Sequence, residues 1–126
     1  MAGSIPGDLE MIECKGYWEA RYLGTYEAAR YKRLMVASVR ACEENKGSLL
    51  LVDIRALKDF TPTTHERFEF GRYGAEISKN LARVSILACA EQVHPDAFST
   101  LVAQNRGLRI RAFTDPKAAV EWLLKG

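Results

Sequence analysis

The stretch "SLLLVDIRALKDFTPTTHERF", residues 48–68, decides the fold. Leu49 to Val52 form an unbroken apolar run that stops at Asp53. Such a run suits a strand covered on both faces, as in a parallel sheet with helices packed on it. Thr63 is followed three residues later by Glu66, a capping-box pattern that starts a helix just after Thr63. The stretch is therefore strand, loop, helix, with an acid at the strand tip. Asp53 reads as a strand terminator that hydrogen-bonds backbone donors in the loop after it.

Working outward, "DLEMIEC" (8–14) reads as a strand, Lys15-Gly16 as a turn, and "YWEARYLG" (17–24) as an alternating strand. Trp18, Ala20 and Tyr22 fall on one face, Glu19 and Arg21 on the other, which predicts an antiparallel hairpin. From Thr25 the period changes. Tyr31, Leu34, Met35, Ser38 and Cys42 define the inner face of a helix that fades in "CEENKG" with Gly47 as its terminator. After residue 63, Phe70, Tyr73 and Ile77 make the buried stripe of the next helix, and Gly71 and Gly74 weaken it but allow close packing. "RVSILACA" (83–90) is another apolar strand. "HPDAFSTLVAQNRG" (94–107) is a helix with Pro95 near its start and Gly107 past its end. "LRIRAF" (108–113) alternates Leu108, Ile110 and Ala112 against Arg109, Arg111 and Phe113. In "TDPKAAVEWLLKG", Asp115 caps, Pro116 takes the first helical position, and Val120, Leu123 and Leu124 supply the apolar face.

The order β-β-α-β-α-β-α-β-α separates each later strand from its predecessor by a helix, so right-handed crossovers and parallel pairing follow. The expected fold is α/β: a mixed, mostly parallel sheet of about five strands, an N-terminal antiparallel hairpin at one edge, and about four flanking helices. Residues 1–8 read as a flexible lead-in and 9–126 as a single domain. The length, 126 residues, suits one compact core.

Composition excludes several classes. A net charge of +2, with cations interleaved among acids, does not argue for nucleic acid. Arg106, Arg109 and Arg111 cluster, but without an aromatic ladder they read as the charged face of an edge strand. No apolar run approaches the roughly 20 residues a membrane span needs, so stable membrane insertion is not expected, and no secretory signal is visible. Cys14, Cys42 and Cys89 are odd in number and form no CxxC pair, which suits free thiols in a reducing cytoplasm.

No catalytic constellation emerges. Asp53 sits where a receiver domain keeps its phosphoacceptor, but Glu10 and Glu13 lie inside a strand on opposite faces and supply no magnesium-binding pair. The single glycine of "LGTYEAA" cannot cradle a pyrophosphate, and no GxSxG elbow exists. His65 lies in a first helical turn, where the dipole disfavours its protonated form. His94 reads as a surface turn residue or cap; a Cys89–His94 pair is the weaker reading beside a buried thiol and an unrelated loop histidine. No cluster of ligands suggests a metal, and no cofactor is expected.

"LLLVDIRAL" before a threonine-rich helix start, and "NRGLRIRAFTDPKAAVEWL" at the C-terminus, together resemble STAS-like domains. The resemblance is to small bacterial, SpoIIAA-like proteins related to the anti-sigma-factor antagonists. The matching residues at the C-terminal end are Phe113, Thr114, Asp115, Ala119, Trp122 and Leu123, and "YLGTY" before a long helix fits the opening. The resemblance implies a non-enzymatic regulatory module with a protein partner or self-association, for example as a homodimer. Antagonists dock on a kinase and are switched by phosphorylation of a serine or threonine at the helix start after the central strand. There they carry Asp-Ser-Ser-Gly; here the residues are Asp53-Ile54-Arg55-Ala56, without a hydroxyl. The candidate contact or switch region is therefore Asp53, Arg55, Thr61, Thr63, Thr64 and His65, with Thr63 also needed as a cap. Distant relatives with lipid-transfer-type folds use an apolar pocket. The alternative function is accordingly a small apolar or lipid-like ligand site, for which Trp18, Tyr22, Phe68, Phe70 and Tyr73 supply aromatic surface, although such stripes also serve as plain core.

Overall fold

The computed structural model describes residues 6–93 and 98–126. His94 and Pro95, and with them the Cys89–His94 pair, lie outside the described residues. The chain runs β1 (Leu9–Cys14), β2 (Tyr17–Tyr22), α1 (Ala28–Glu44), β3 (Leu49–Asp53), α2 (Thr64–Ile77), β4 (Arg83–Leu87), a 3-10 turn (Ala90–Gln92), α3 (Phe98–Asn105), β5 (Ile110–Phe113) and α4 (Pro116–Lys125). The sheet order is β1-β2-β3-β4-β5, antiparallel between β1 and β2 and parallel elsewhere. This is the mixed, hairpin-edged α/β sheet with four flanking helices that the residue pattern predicts. β5 is an edge strand, and Arg109 and Arg111 are exposed there.

β3 is central and covered on both faces, as its apolar run requires. Leu50 and Val52 point toward the side of α1, α2 and α3, while Leu51 packs with Leu87, Ala119 and Leu123 under α4. Trp18, Ala20 and Tyr22 share the first of these faces, as their alternation predicts. On α4, Asp115 caps by accepting from the Ala118 N–H at 3.2 Å and Pro116 opens the helix. Leu124, expected on the apolar face, is 43% exposed instead; Ala119 takes its place against the sheet.

The end of α1 differs from expectation. The left-handed position is Lys46, at φ 61°, not Gly47. Gly47 is needed for space: a Cβ there would come 2.7 Å from Trp18 Cδ1 and 2.8 Å from Cys42 Sγ. At the other terminus, Pro6 and Asp8, expected in the lead-in, are tied down. Their carbonyls accept from Leu9 and Leu23 N–H groups at 3.1 and 2.8 Å, and Asp8 lies 3.4 Å from Arg30.

α2 comes close to α3 and α1 rather than to any strand. Gly71 allows this, because a Cβ there would overlap the Ser99 carbonyl oxygen and lie 2.8 Å from Val102 Cβ. Gly74 faces only the flexible end of Met35, 3.3 Å from where its Cβ would be. The two glycines therefore separate experimentally. Gly71→Ala is expected to destabilise the fold by roughly 1–3 kcal/mol through backbone overlap. Gly74→Ala is expected to be neutral or to stabilise by up to about 1 kcal/mol through helix propensity. Urea denaturation of both variants checks the pair; equal losses would contradict the packing described.

Candidate functional site

Two places carry unusual chemistry, one at the C-terminal edge of the sheet and one on its face. The first is the tip of β3. Asp53 is buried, and Arg55 occupies both carboxylate oxygens: Oδ1 accepts from the Arg55 N–H at 3.0 Å and from Nε at 3.0 Å, and Oδ2 accepts from Nη2 at 2.9 Å. This bidentate fork closes the strand end over two residues. The hydrogen bonds to Asp53 raise the Arg55 pKa. Arg21 lies beside Asp53 in register and pairs with Glu19 at 2.6 Å. Among the described residues no group of three or more His, Cys, Asp or Glu could hold a metal ion. Asp53 thus does what a strand terminator does, with its own loop arginine added.

The loop after Asp53 is stitched to the loop after β2. Lys58 N–H donates to Gly24 C=O at 2.9 Å and Lys58 C=O accepts from Tyr26 N–H at 2.8 Å. Thr63 and Glu66 form the full capping box at 3.1 and 3.0 Å, and Glu66 Oε1 also accepts from Tyr26 Oη at 2.8 Å. Thr61, Thr63, Thr64 and His65 are all exposed along this edge, beside the exposed Arg55. The Thr63 hydroxyl is occupied by its cap.

The second place is a cavity of about 120 Å³ between the sheet and the α1–α2–α3 layer. It occupies the space that α2 leaves by packing on α3. Val52, Val84 and Ile86 form its floor, Tyr31 and Met35 come from α1, and Phe60 closes in from the loop. From α2 the lining residues are Arg67, Phe70, Gly71, Gly74 and Ile77, one helical stripe at three- and four-residue steps. Tilted aromatic contacts join Tyr31 to Phe60 and Phe70 at centroid distances of 5.6 and 4.6 Å.

Of the aromatic residues proposed for a pocket, Tyr22 and Phe70 line the cavity, and Trp18, Phe68 and Tyr73 do not. Trp18 packs toward Gly47. Phe68 and Tyr73 lie off the α2 stripe, beneath Arg106 at 5.7 Å and Lys32 at 5.5 Å from their ring centroids. Tyr73 is thereby also absent from the buried stripe expected of α2. The residues that sequence reasoning missed are Tyr31, Phe60 and Arg67. Two glycines on the same stripe as Phe70 were the available signal, since they remove side chains where α2 meets α3 and Met35 of α1.

Tyr22, Ser38 and Gln92 on the lining are hydrogen-bonded within the protein. Ser38 Oγ lies 2.8 Å from Tyr22 Oη and donates to Met35 C=O at 3.0 Å. Gln92 Nε2 donates to Ile54 C=O at 2.8 Å, and its Oε1 accepts from Cys89 N–H at 2.8 Å. Arg67 is different. Among the described residues no carboxylate lies within ion-pair distance of it, and its guanidinium carbon sits 5.7 Å from the Phe60 centroid. Burial lowers its pKa.

No family model and no curated protein matches the sequence. Among solved structures the chain is similar to an uncharacterised protein of the DUF3478 family with a SpoIIAA-like fold from Shewanella loihica PV-4. The TM-score is 0.54 at 18% identity, covering 91% of each chain. At that identity the likeness shows the fold alone: this chain has a SpoIIAA-like, STAS-like fold.

The cavity walls predict a pH limit. Burial holds the phenols of Tyr22, Tyr31 and Tyr26 well above their ordinary range, Tyr26 with help from Glu66. An unfolded phenol ionises near 10, so the folded state keeps protons that the unfolded state loses above that pH. Their contribution is therefore complete below about pH 10 and is lost as pH rises through the folded values. Phenolate absorbance and far-ultraviolet circular dichroism are expected to change together in one alkaline step. Smooth phenol titration with the fold intact would contradict this. Cys42, whose pKa burial pushes up to about 11, is expected to resist thiol reagents at pH 8 until the chain unfolds.

Proposed function

We propose that this chain is a non-enzymatic STAS-like module that takes a small apolar or amphipathic ligand into the cavity beneath α2. The observation that carries the reading is the cavity itself: about 120 Å³, walled by Val, Ile, Met, Tyr and Phe side chains. An engineered apolar cavity of about 150 Å³ in another protein stays dry and takes up benzene. Protein interiors otherwise leave few voids larger than a water molecule, and an empty one costs stability. The closed Asp53–Arg55 pair, which occupies both oxygens of the acid at the β3 tip, supports the non-enzymatic part. Free cysteines support a reducing, cytoplasmic setting, and no described helix is long and apolar enough to cross a membrane.

A second reading, a protein-contact module of the antagonist type, has one observation in its favour. Arg55, Thr61, Thr63, Thr64 and His65 form an exposed polar strip beside Phe60 and Arg67, so the contact edge adjoins the cavity.

Toluene is a suitable probe for the ligand reading. At about tenfold above its Kd it stabilises the folded state by about 1.4 kcal/mol, a rise in Tm of a few degrees. Val84→Phe, which fills the cavity, is expected to abolish the rise, with Val52→Phe as a second filler should the first fail to fold. No rise in the wild type would overturn the reading.

A further inference from the structure

Arg67 is the one charged residue among the described residues that line the cavity. Ser38 and Gln92 spend their hydrogen bonds on Tyr22, Met35, Ile54 and Cys89. Arg67 lies on the same α2 stripe as Phe70 and Gly74. It is half-buried over the Phe60 ring, with no carboxylate in ion-pair range among the described residues. Its neighbour Glu66 is occupied by the Thr63 N–H and the Tyr26 hydroxyl. A guanidinium partly removed from water is stabilised most by a planar anion that accepts two parallel hydrogen bonds.

Resting on the proposed ligand function, we infer that the occupant is a short amphipathic carboxylate, its apolar tail in the cavity and its carboxylate on Arg67. The tail displaces empty space between α2, β3 and β4. The carboxylate takes the donors that no described acid uses, in the fork geometry of arginine and carboxylate. The cavity's size selects a tail of roughly benzene's bulk, since the comparable engineered void holds one such molecule. Phe60, under the guanidinium and against Tyr31, then lines both parts of the ligand.

The test titrates the full chain at neutral pH with hexanoate and with hexan-1-ol, following amide chemical shifts. The wild type is expected to bind hexanoate about tenfold more tightly or better, the factor for one charge-assisted hydrogen-bonded contact. Arg67→Gln is expected to erase that preference and leave hexan-1-ol affinity within about twofold; Arg67→Lys keeps part of it. Equal wild-type affinities for the two compounds, or a preference surviving in Arg67→Gln, would overturn the carboxylate assignment while leaving the cavity reading standing. If hexanoate and hexan-1-ol fail to bind while toluene still raises the wild-type Tm, the carboxylate assignment falls alone; if toluene fails as well, the cavity reading falls with it.

Discussion

The close approach of α2 to α3 at Gly71 governs the rest of this structure. A side chain at that position would overlap the Ser99 carbonyl oxygen. With only a hydrogen there, the two helices meet backbone to backbone. α2 is thereby held closely against α3, while Ala75 and Ile77 join the core over the sheet. The sheet below it presents β-branched and aliphatic side chains, Val52, Val84 and Ile86, that a well-fitted helix would cover directly. Here they face a void instead. Interiors are close-packed, so a void of this size is a cost the rest of the core must offset.

The edge around the void is correspondingly well tied. Lys58 is stitched to Gly24 and Tyr26, Glu66 joins the α2 cap to the Tyr26 hydroxyl, and Asp53 is held by Arg55 on both oxygens. These bonds hold the Phe60 loop and the α2 start in place, with the Tyr26 ring and the Arg67 side chain packed on Phe60 between them. The electrostatic contrast is also local. Asp53 and Arg55 neutralise one another on the α4 side of the sheet, whereas Arg67, on the other side, has no described acidic partner.

Much of the architecture was readable from residue patterns because it rests on local rules. The "LLLV" run specified a doubly covered strand, Thr63 and Glu66 a capping box, and Asp115-Pro116 a helix start; each works through neighbours a few residues apart. Asp53 was legible for the same reason, since its partner is two residues away. Failures appear where the deciding contact is distant in sequence. Gly47 looked like a helix terminator, but its role is set by Trp18 on another element. Leu124 looked like core, yet the sheet needs only Ala119 and Leu123 from α4. For the cavity, composition pointed to aromatic residues as a class, and only the rotation of α2 decides that Phe70 is inside and Phe68 and Tyr73 are not. The Arg67 position follows from that rotation and from the α2–α3 distance, neither of which a helical period alone contains.

The proposed ligand function requires the space under α2 to persist in solution and not to collapse onto the strands. Crystallography of the protein under xenon pressure tests this most directly, because xenon enters apolar cavities without needing hydrogen bonds. One ordered xenon site bounded by Val52, Val84, Ile86 and Phe70 is expected, with the backbone of α2 unmoved. Absence of xenon there, with α2 settled onto the strands and Phe70 filling the space, would contradict it.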